Sequence, residues 1–232
     1  MTENIFGFST ETSSGDFLPI VKYDARAGRF FRVERIDTGN GFENNPIDIT
    51  NEFRAVFDFD NVEVGWIDFS AGSAPSFVLV PYGSKLPDKP GPSHKTGIRF
   101  MIKLAKDIGG EKPIRELANT SKAFLSGAEA VFKSYLAERE KNPGKLPVVR
   151  LAKTTPVKTG SGEKSSTNYH PTFEIIGWAP RGDLAPAPKA PGAAAAANGA
   201  ARATGNGSAP ATGSTRAEPP KRAEHNIADD FG

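Results

Sequence analysis

Lysine and arginine residues are interspersed with aromatic residues along the second half of this chain, and this combination is the part of the sequence best suited to chemistry. Residues 73–182 contain 18 Lys and Arg against nine Asp and Glu, whereas residues 1–72 contain six against 13. Two segments concentrate the excess: 82–106 has six cations and one acid, and 145–164 has five cations and one acid. Such local asymmetry is typical of a surface that binds a polyanion.

Cations neutralise phosphates, and aromatic faces stack on bases at about 1–3 kcal/mol each without selecting a base sequence. The pattern therefore predicts a nucleic-acid contact surface made of strand and loop residues, with affinity for single strands. The predicted contact residues are Phe30, Arg32, Arg54, Tyr82, Lys85, Lys89, Lys95, Arg99, Lys103, Arg150, Lys153, Lys158, Lys164 and Tyr169.

Other kinds of chemistry lack the residues they need. There is no cysteine, and the three histidines lie far apart with no metal-ligand spacing, so we expect no metal and no cofactor. The segment 162–165 resembles the end of a phosphate-binding loop, but Glu163 stands where that motif requires glycine. Asp230-Phe231-Gly232 spells a kinase triplet without the catalytic loop that must precede it. We therefore expect no enzymatic activity.

The elements that must position the contact residues are mostly strands. Apolar runs separated by Gly, Pro, Asn and Asp predict strands at 18–23, 29–36, 53–59, 62–69, 76–81, 97–106, 146–155 and 172–178. In 53–59 the odd-numbered residues are apolar and predict one buried face. In 97–106 the even-numbered residues 98 to 104 are apolar, so Arg99 and Lys103 face outward, about 13 Å apart.

One helix is predicted after residue 120. Phe124, Ala128, Val131 and Tyr135 form an apolar stripe, Asn119 or Thr120 is the expected cap, and 142–144 (Asn-Pro-Gly) ends the helix. The predicted fold class is mainly β with one main helix, arranged as an OB-type small barrel, closed or partly open. A β-sandwich is the alternative.

The composition divides the chain into a folded domain at 1–182 and a disordered tail at 183–232. Between residues 185 and 224, 31 of 40 residues are Ala, Gly, Pro, Ser or Thr, too few large apolar side chains to offset the entropy of ordering. The tail ends in Ile227, Asp229, Asp230 and Phe231, an acidic and aromatic tip suited to docking on a partner. A tether of about 45 residues reaches roughly 35–40 Å, so the tip is also expected to fold back onto the domain's own basic surface.

This plan resembles that of bacteriophage single-stranded DNA-binding proteins, which join an OB-type domain to a disordered tail with an acidic, aromatic end. The tail ending 227–231 carries the resemblance, and the segment 169–181 (YHPTFEIIGWAPR) is similar to the closing strand of such domains. The resemblance implies a non-catalytic protein that coats transient single strands during phage or mobile-element replication and recombination. It also implies that replication or recombination proteins bind the tail.

Two other functions remain open at this point: binding of RNA or duplex DNA, and a non-catalytic structural or adaptor role. No run approaches 18 apolar residues and the N-terminus Met-Thr-Glu-Asn is unlike a signal peptide, so we expect a cytoplasmic protein with no membrane partner, in the host cytoplasm if it is phage-encoded. Both a monomer and a homodimer are compatible with the sequence.

Overall fold

Ten strands and two α-helices make up the part of the chain that the computed structural model describes, namely residues 18–70, 74–159, 161–162, 165–185 and 227–231. The strands are β1 Ile20–Asp24, β2 Arg29–Asp37, β3 Phe42–Asp48, β4 Arg54–Phe57, β5 Glu63–Asp68, β6 Ser76–Pro81, β7 Lys95–Leu104, β8 Ile114–Asn119, β9 Lys145–Thr159 and β10 Ser166–Pro180. The helices are α1 Lys106–Gly109 and α2 Lys122–Glu138, and short 3-10 turns span Phe59–Asn61, Arg139–Lys141 and Ile227–Asp230.

All ten strands belong to one mixed sheet in the order β10-β9-β4-β7-β8-β1-β2-β3, with β5 pairing β6 and the first half of β7. The prediction of a mainly β fold with one main helix is confirmed. The sheet is open, because β3 and β10 end this path without pairing to each other. One hydrogen bond, from Tyr169 N to Ala25 O at 2.7 Å, brings β10 to the turn between β1 and β2.

The core lies between the sheet and α2, and aromatic rings dominate it. Phe30 stacks on Phe53 with ring centroids 4.1 Å apart, and both Phe124 of α2 and Phe173 of β10 contact Phe30 edge-on. The helix packs closely on β10 at Gly127, where an added Cβ would lie 2.3 Å from the carbonyl oxygen of Pro171. The sheet and the helix therefore form one packed unit.

The helix cap lies one residue beyond the predicted candidates. Ser121 is the N-cap, and its Oγ accepts a hydrogen bond from Phe124 N at 3.2 Å. Asn119, a predicted cap, instead accepts from Ser121 N at 2.7 Å and orders the turn that leads into α2. The helix gives way to the 3-10 turn before residue 142, close to the predicted end.

Alternation is confirmed for β7 and wrong for β4. Phe100, Ile102 and Leu104 are buried on β7, as the sequence predicts. On β4, however, Val56 is as buried as its neighbours, and Asp58, which follows the strand, is fully buried in an ion pair with Arg181 at 2.9 Å. β4 pairs with β7 and β9 along its two edges, and the burial of Ala55, Val56 and Phe57 shows that both of its faces are covered as well.

Two strands and much of one hairpin were not predicted. β3 and β8 have no counterpart in the predicted set, and β9 and β10 extend past the predicted strand ends at residues 155 and 172, with Lys158 paired to Thr167. Chain contacts also continue past residue 182, because Leu184 is 5% exposed and joins the core cluster.

Candidate nucleic-acid interface

The outer face of β7 carries Arg99 and Lys103, and both cations already bind carboxylates of this chain. Arg99 Nη2 lies 2.6 Å from Glu63 Oε2, and its Nη1 lies 3.9 Å from Glu116 Oε2. Lys103 Nζ is 3.5 Å from Asp183 Oδ2, and only 13% of the lysine side chain is exposed. Burial raises the pKa of the Glu116 carboxyl, while Arg99 acts to lower it. A phosphate at this face must displace these carboxylates.

Arg54 and Arg150 lie opposite each other on β4 and β9. Arg54 Nη2 donates to Asp107 Oδ2 at 3.0 Å, and Arg150 donates from Nε and Nη2 to Glu174 Oε2 at 3.0 and 2.7 Å. The pair of Arg150 and Glu174 is about half exposed, and surface pairs of this kind contribute about 0–1 kcal/mol. A phosphate could therefore replace Glu174 at small cost.

The side chain of Phe30 on β2 is fully buried, and that of Arg32 is mostly buried. The ring of Phe30 is fully buried in the aromatic core, so its prediction as a base-stacking residue is wrong. Arg32 donates from Nη1 to the carbonyl of Ile108 at 2.6 Å, and its Nε lies 2.9 Å from Glu34 Oε1. Arg32 ties β2 to α1 and has 16% of its side chain exposed.

Tyr169, near the start of β10, contacts β1 and the turn that follows it. Its carbonyl accepts a hydrogen bond from Tyr23 Oη at 2.6 Å, and its side chain packs on Gly28, where a Cβ would lie 2.8 Å from the tyrosine Cβ. Gly28 has a φ of 68°, so the turn and this close approach both require glycine. Tyr169 is half-buried, and its role as a contact stays a prediction.

Five of the predicted lysines are exposed and form no ion pair with any described carboxylate. Lys85 and Lys89 lie in the loop of residues 82–94, Lys95 begins β7, and Lys153 and Lys158 lie on β9. The side chain of Lys164 lies outside the described residues. The structure thus divides the predicted cations into paired strand residues and five available lysines.

The loop 82–94 is fixed against β5. Trp66 Nε1 donates to the carbonyl of Pro87 at 2.8 Å, and Lys89 Nζ lies 5.8 Å from the centre of the tryptophan ring. At the start of the loop, Tyr82 N donates to Val62 O at 2.8 Å. The Tyr82 side chain is 57% exposed and meets Phe132 of α2 edge-on, with centroids 4.8 Å apart.

The tail tip, residues 227–231, lies on the domain. Lys106 Nζ donates to the carbonyl of Asp229 at 3.0 Å, and Arg54 Nη2 lies 3.9 Å from Asp230 Oδ2. Phe231 is 4% exposed and belongs to the core cluster, whereas the side chain of Ile227 lies outside the described residues. The tip therefore lies beside Arg54 through the Asp230 carboxylate and beside Lys106 through the backbone carbonyl of Asp229.

Two adjoining cavities lie between α2 and the strands. The first, of about 420 Å³, has mostly apolar walls and lies beside the loop 82–94. The second, of about 680 Å³, extends to Arg99 and Met101 on the outer face of β7. Their walls share Phe59, Val62, Tyr82, Phe100 and Phe132.

Sequence reasoning missed the carboxylates that hold the strand cations. Glu63, Glu116 and Asp183 are far from their partners along the chain, and only the strand register brings the first two beside β7. Asp183 was visible as an acid just beyond Arg181, yet its position depends on the turn that follows β10. No local signal in the sequence reports these contacts.

Comparison with protein-family models, curated proteins and solved structures found no match to this chain. Within the described ranges, no cluster of three or more His, Cys, Asp or Glu residues is placed to hold a metal ion. No helix in the described part of the chain is long and apolar enough to cross a membrane.

Proposed function

We propose that this protein is non-catalytic and binds single-stranded DNA, coating transient strands in phage or mobile-element replication and recombination. The observation that carries the proposal is the set of five exposed lysines, at 85, 89, 95, 153 and 158, which have no carboxylate partner among the described residues. Unpaired surface cations release counterions when phosphates bind, and this release drives nucleic-acid association.

The proposed path of the strand begins at the loop 82–94, crosses the outer face of β7 and reaches the hairpin of β9 and β10. Arg99 and Lys103 lie along the middle of this path, where phosphates exchange with Glu63 and Asp183. Arg54 and Arg150 lie beside it on β4 and β9. The arrangement as an OB-type barrel belongs to the same proposal, supported by the approach of Tyr169 to Ala25.

The tail tip has two roles in this proposal. While the tip lies beside Arg54, its Asp230 carboxylate competes with phosphates for the β4 side of the path. When DNA displaces it, the tip is free to recruit replication or recombination proteins through Asp229, Asp230 and Phe231. The tip is then accessible to partners only while DNA is bound to the domain.

The test is a titration of the full chain with labelled oligo-dT, the matching duplex and oligo-U at several salt concentrations. The proposal expects oligo-dT to bind tightest, with log affinity falling linearly against log salt. Preference for duplex or for RNA would replace the proposal with the corresponding alternative. No binding to any of them at low salt would leave a structural or adaptor role.

A further inference from the structure

The smaller cavity is an apolar groove between α2 and strands β5 and β7. Its walls include Val64, Ile98, Leu125, Ala128, Phe132 and Tyr82. On one side the wall is peptide backbone, because Gly65 and Gly97 lie opposite each other on β5 and β7. A flat apolar ligand could therefore enter between the helix and the strands.

An exposed aromatic ring stands at the mouth of this groove. Tyr82 keeps 57% of its surface exposed while its ring contacts Phe132, which lies at an interplanar angle of 77°. In single-strand binding sites, bases stack on aromatic side chains. A ring such as that of Tyr82, which packs on one neighbour and is exposed on its other side, is suited to this role.

The charge around the groove favours an anionic ligand. Lys85 lies between two wall residues, Ser84 and Leu86, and Lys95 directly precedes another, Thr96. Glu129 is the one carboxylate among the described wall residues, and its Oε1 lies 2.7 Å from Lys133 Nζ. Two exposed lysines with no described carboxylate partner thus adjoin wall residues along the chain, and the one wall carboxylate is already paired.

The loop 82–94, which carries Lys85, is ordered before any ligand arrives, and Lys95 begins the strand that follows it. Trp66 anchors Pro87, and the backbone of Tyr82 is bonded to Val62. Prolines at 87, 90 and 92 restrict the loop further. A loop already held in place loses little conformational entropy on binding.

From these observations we propose that the groove holds unstacked bases of the nucleic acid, while Lys85 and Lys95 bind the adjacent phosphates. The inference rests on the proposed function and adds to it a specific place where bases insert. Nucleotides match the groove because the faces of their bases are apolar and the phosphates of the strand are anionic. The second cavity, which shares Tyr82 and Phe132, is also lined by Arg99, Glu63 and Glu116. A strand that continues onto the outer face of β7 must therefore displace these two carboxylates from Arg99.

The experiment compares two probes of equal length and charge, oligo-dT and an oligomer whose central sites are abasic, binding to the full-length protein. We expect Tyr82→Ala to weaken oligo-dT binding at least about fivefold, since one stacked base contributes that much or more. Binding of the abasic probe and the salt slope should stay unchanged. Tyr82→Phe should restore the wild-type preference for oligo-dT.

Phe42→Ala is the matched control, because the ring of Phe42 is as exposed as that of Tyr82, at 62%, and lies on β3 outside the walls of the groove. It should bind both probes like the wild type, and thermal melts should show that every variant is folded. Photo-crosslinking with 4-thiothymidine should label peptides that contain Tyr82 or Phe132.

Three results would overturn parts of this account in distinguishable ways. If the wild-type protein does not bind oligo-dT at low salt, both the proposed function and the groove assignment are wrong. If the wild type binds oligo-dT tightly and Tyr82→Ala does not change the ratio of the affinities for the two probes, only the groove assignment is wrong. The groove would then suit an apolar peptide. Crosslinks confined to the β9–β10 hairpin also remove only the groove assignment.

Discussion

Asp230 Oδ2 lies 3.9 Å from Arg54 Nη2, which joins the acidic end of the chain to a central strand of the sheet. The same guanidinium donates to Asp107 at 3.0 Å, so Asp230 is its more distant partner. Phe231, the next residue, is nevertheless 4% exposed. The apolar ring thus provides most of the attachment, and the carboxylates add a contribution that salt can screen.

Neutralising the tip should tighten DNA binding at low salt. We expect the double substitution Asp229→Asn and Asp230→Asn to raise oligo-dT affinity by up to about fivefold, the range of an exposed ion pair, because it removes the negative charge that competes with phosphates for Arg54. The gain should vanish as salt increases. Anisotropy titrations measure both effects.

The control for that experiment removes two acids elsewhere. Glu138→Gln with Glu140→Gln changes the net charge equally, at the end of α2 and in the turn that follows it. If this control tightens binding as much as the tip variant, the effect is one of net charge and competition by the tip is rejected.

The available lysines should dominate the salt dependence. Replacing Lys153 and Lys158 by Ala should make the log–log slope shallower by about 1.4, since each phosphate contact on a single strand contributes about 0.7. Replacing Arg99 and Lys103 by Ala should change the slope less, because Glu63, Glu116 and Asp183 already neutralise these cations. A larger change in the second variant would show that phosphates displace those carboxylates completely.

Close packing of α2 on β10 should make Gly127 intolerant of any side chain. Gly127→Ala would bring a Cβ to 2.3 Å from the Pro171 carbonyl oxygen, and we expect it to lower the free energy of unfolding by about 2 kcal/mol. Urea denaturation measures the change. Ser126→Ala, at an exposed neighbouring position, should be neutral; equal stability of the two variants would contradict this packing.

The folded unit should require residues beyond 183. Leu184 is buried, and the carbonyl of Ala185 accepts hydrogen bonds from Arg181 at 2.5 Å and from Asn61 at 3.4 Å. A chain ending at residue 183 should therefore unfold about 1.5–3 kcal/mol more easily than one ending at 185, the contribution of a buried leucine. Identical melting curves for the two chains would place the end of the domain earlier.

The parts of the fold that the sequence predicts are those with a strong period. The alternation on β7 and the stripe on α2 each bury one face, so composition and spacing are enough to find them. β3 is an exposed edge strand with no apolar alternation, and β8 buries Arg115 and Asn119 among its apolar residues. Hydrogen bonding to neighbours, which no local pattern reports, defines both strands.

The sequence predicts which residues of the candidate site are cations, but it does not predict which of these cations are paired with carboxylates. The excess of cations in 82–106 and 145–164 locates the five exposed lysines, because unpaired charge near glycine and proline usually stays in solvent. The pairing of Arg99 with Glu63 depends on the register between β5 and β7. Phe30 could not be assigned from the sequence, because aromatic rings occur in cores and on stacking surfaces alike, and only the packing distinguishes the two.

If exposed lysines without carboxylate partners bind the phosphates of a single strand, the affinity must depend on salt. In a titration of the full chain with oligo-dT between about 50 and 300 mM salt, we expect a linear log–log plot with a slope of about −3.5, from five lysine contacts at about 0.7 each. We also expect weaker binding of the matching duplex at every salt concentration. A flat plot, or equal affinity for duplex and single strand, would contradict the proposed function.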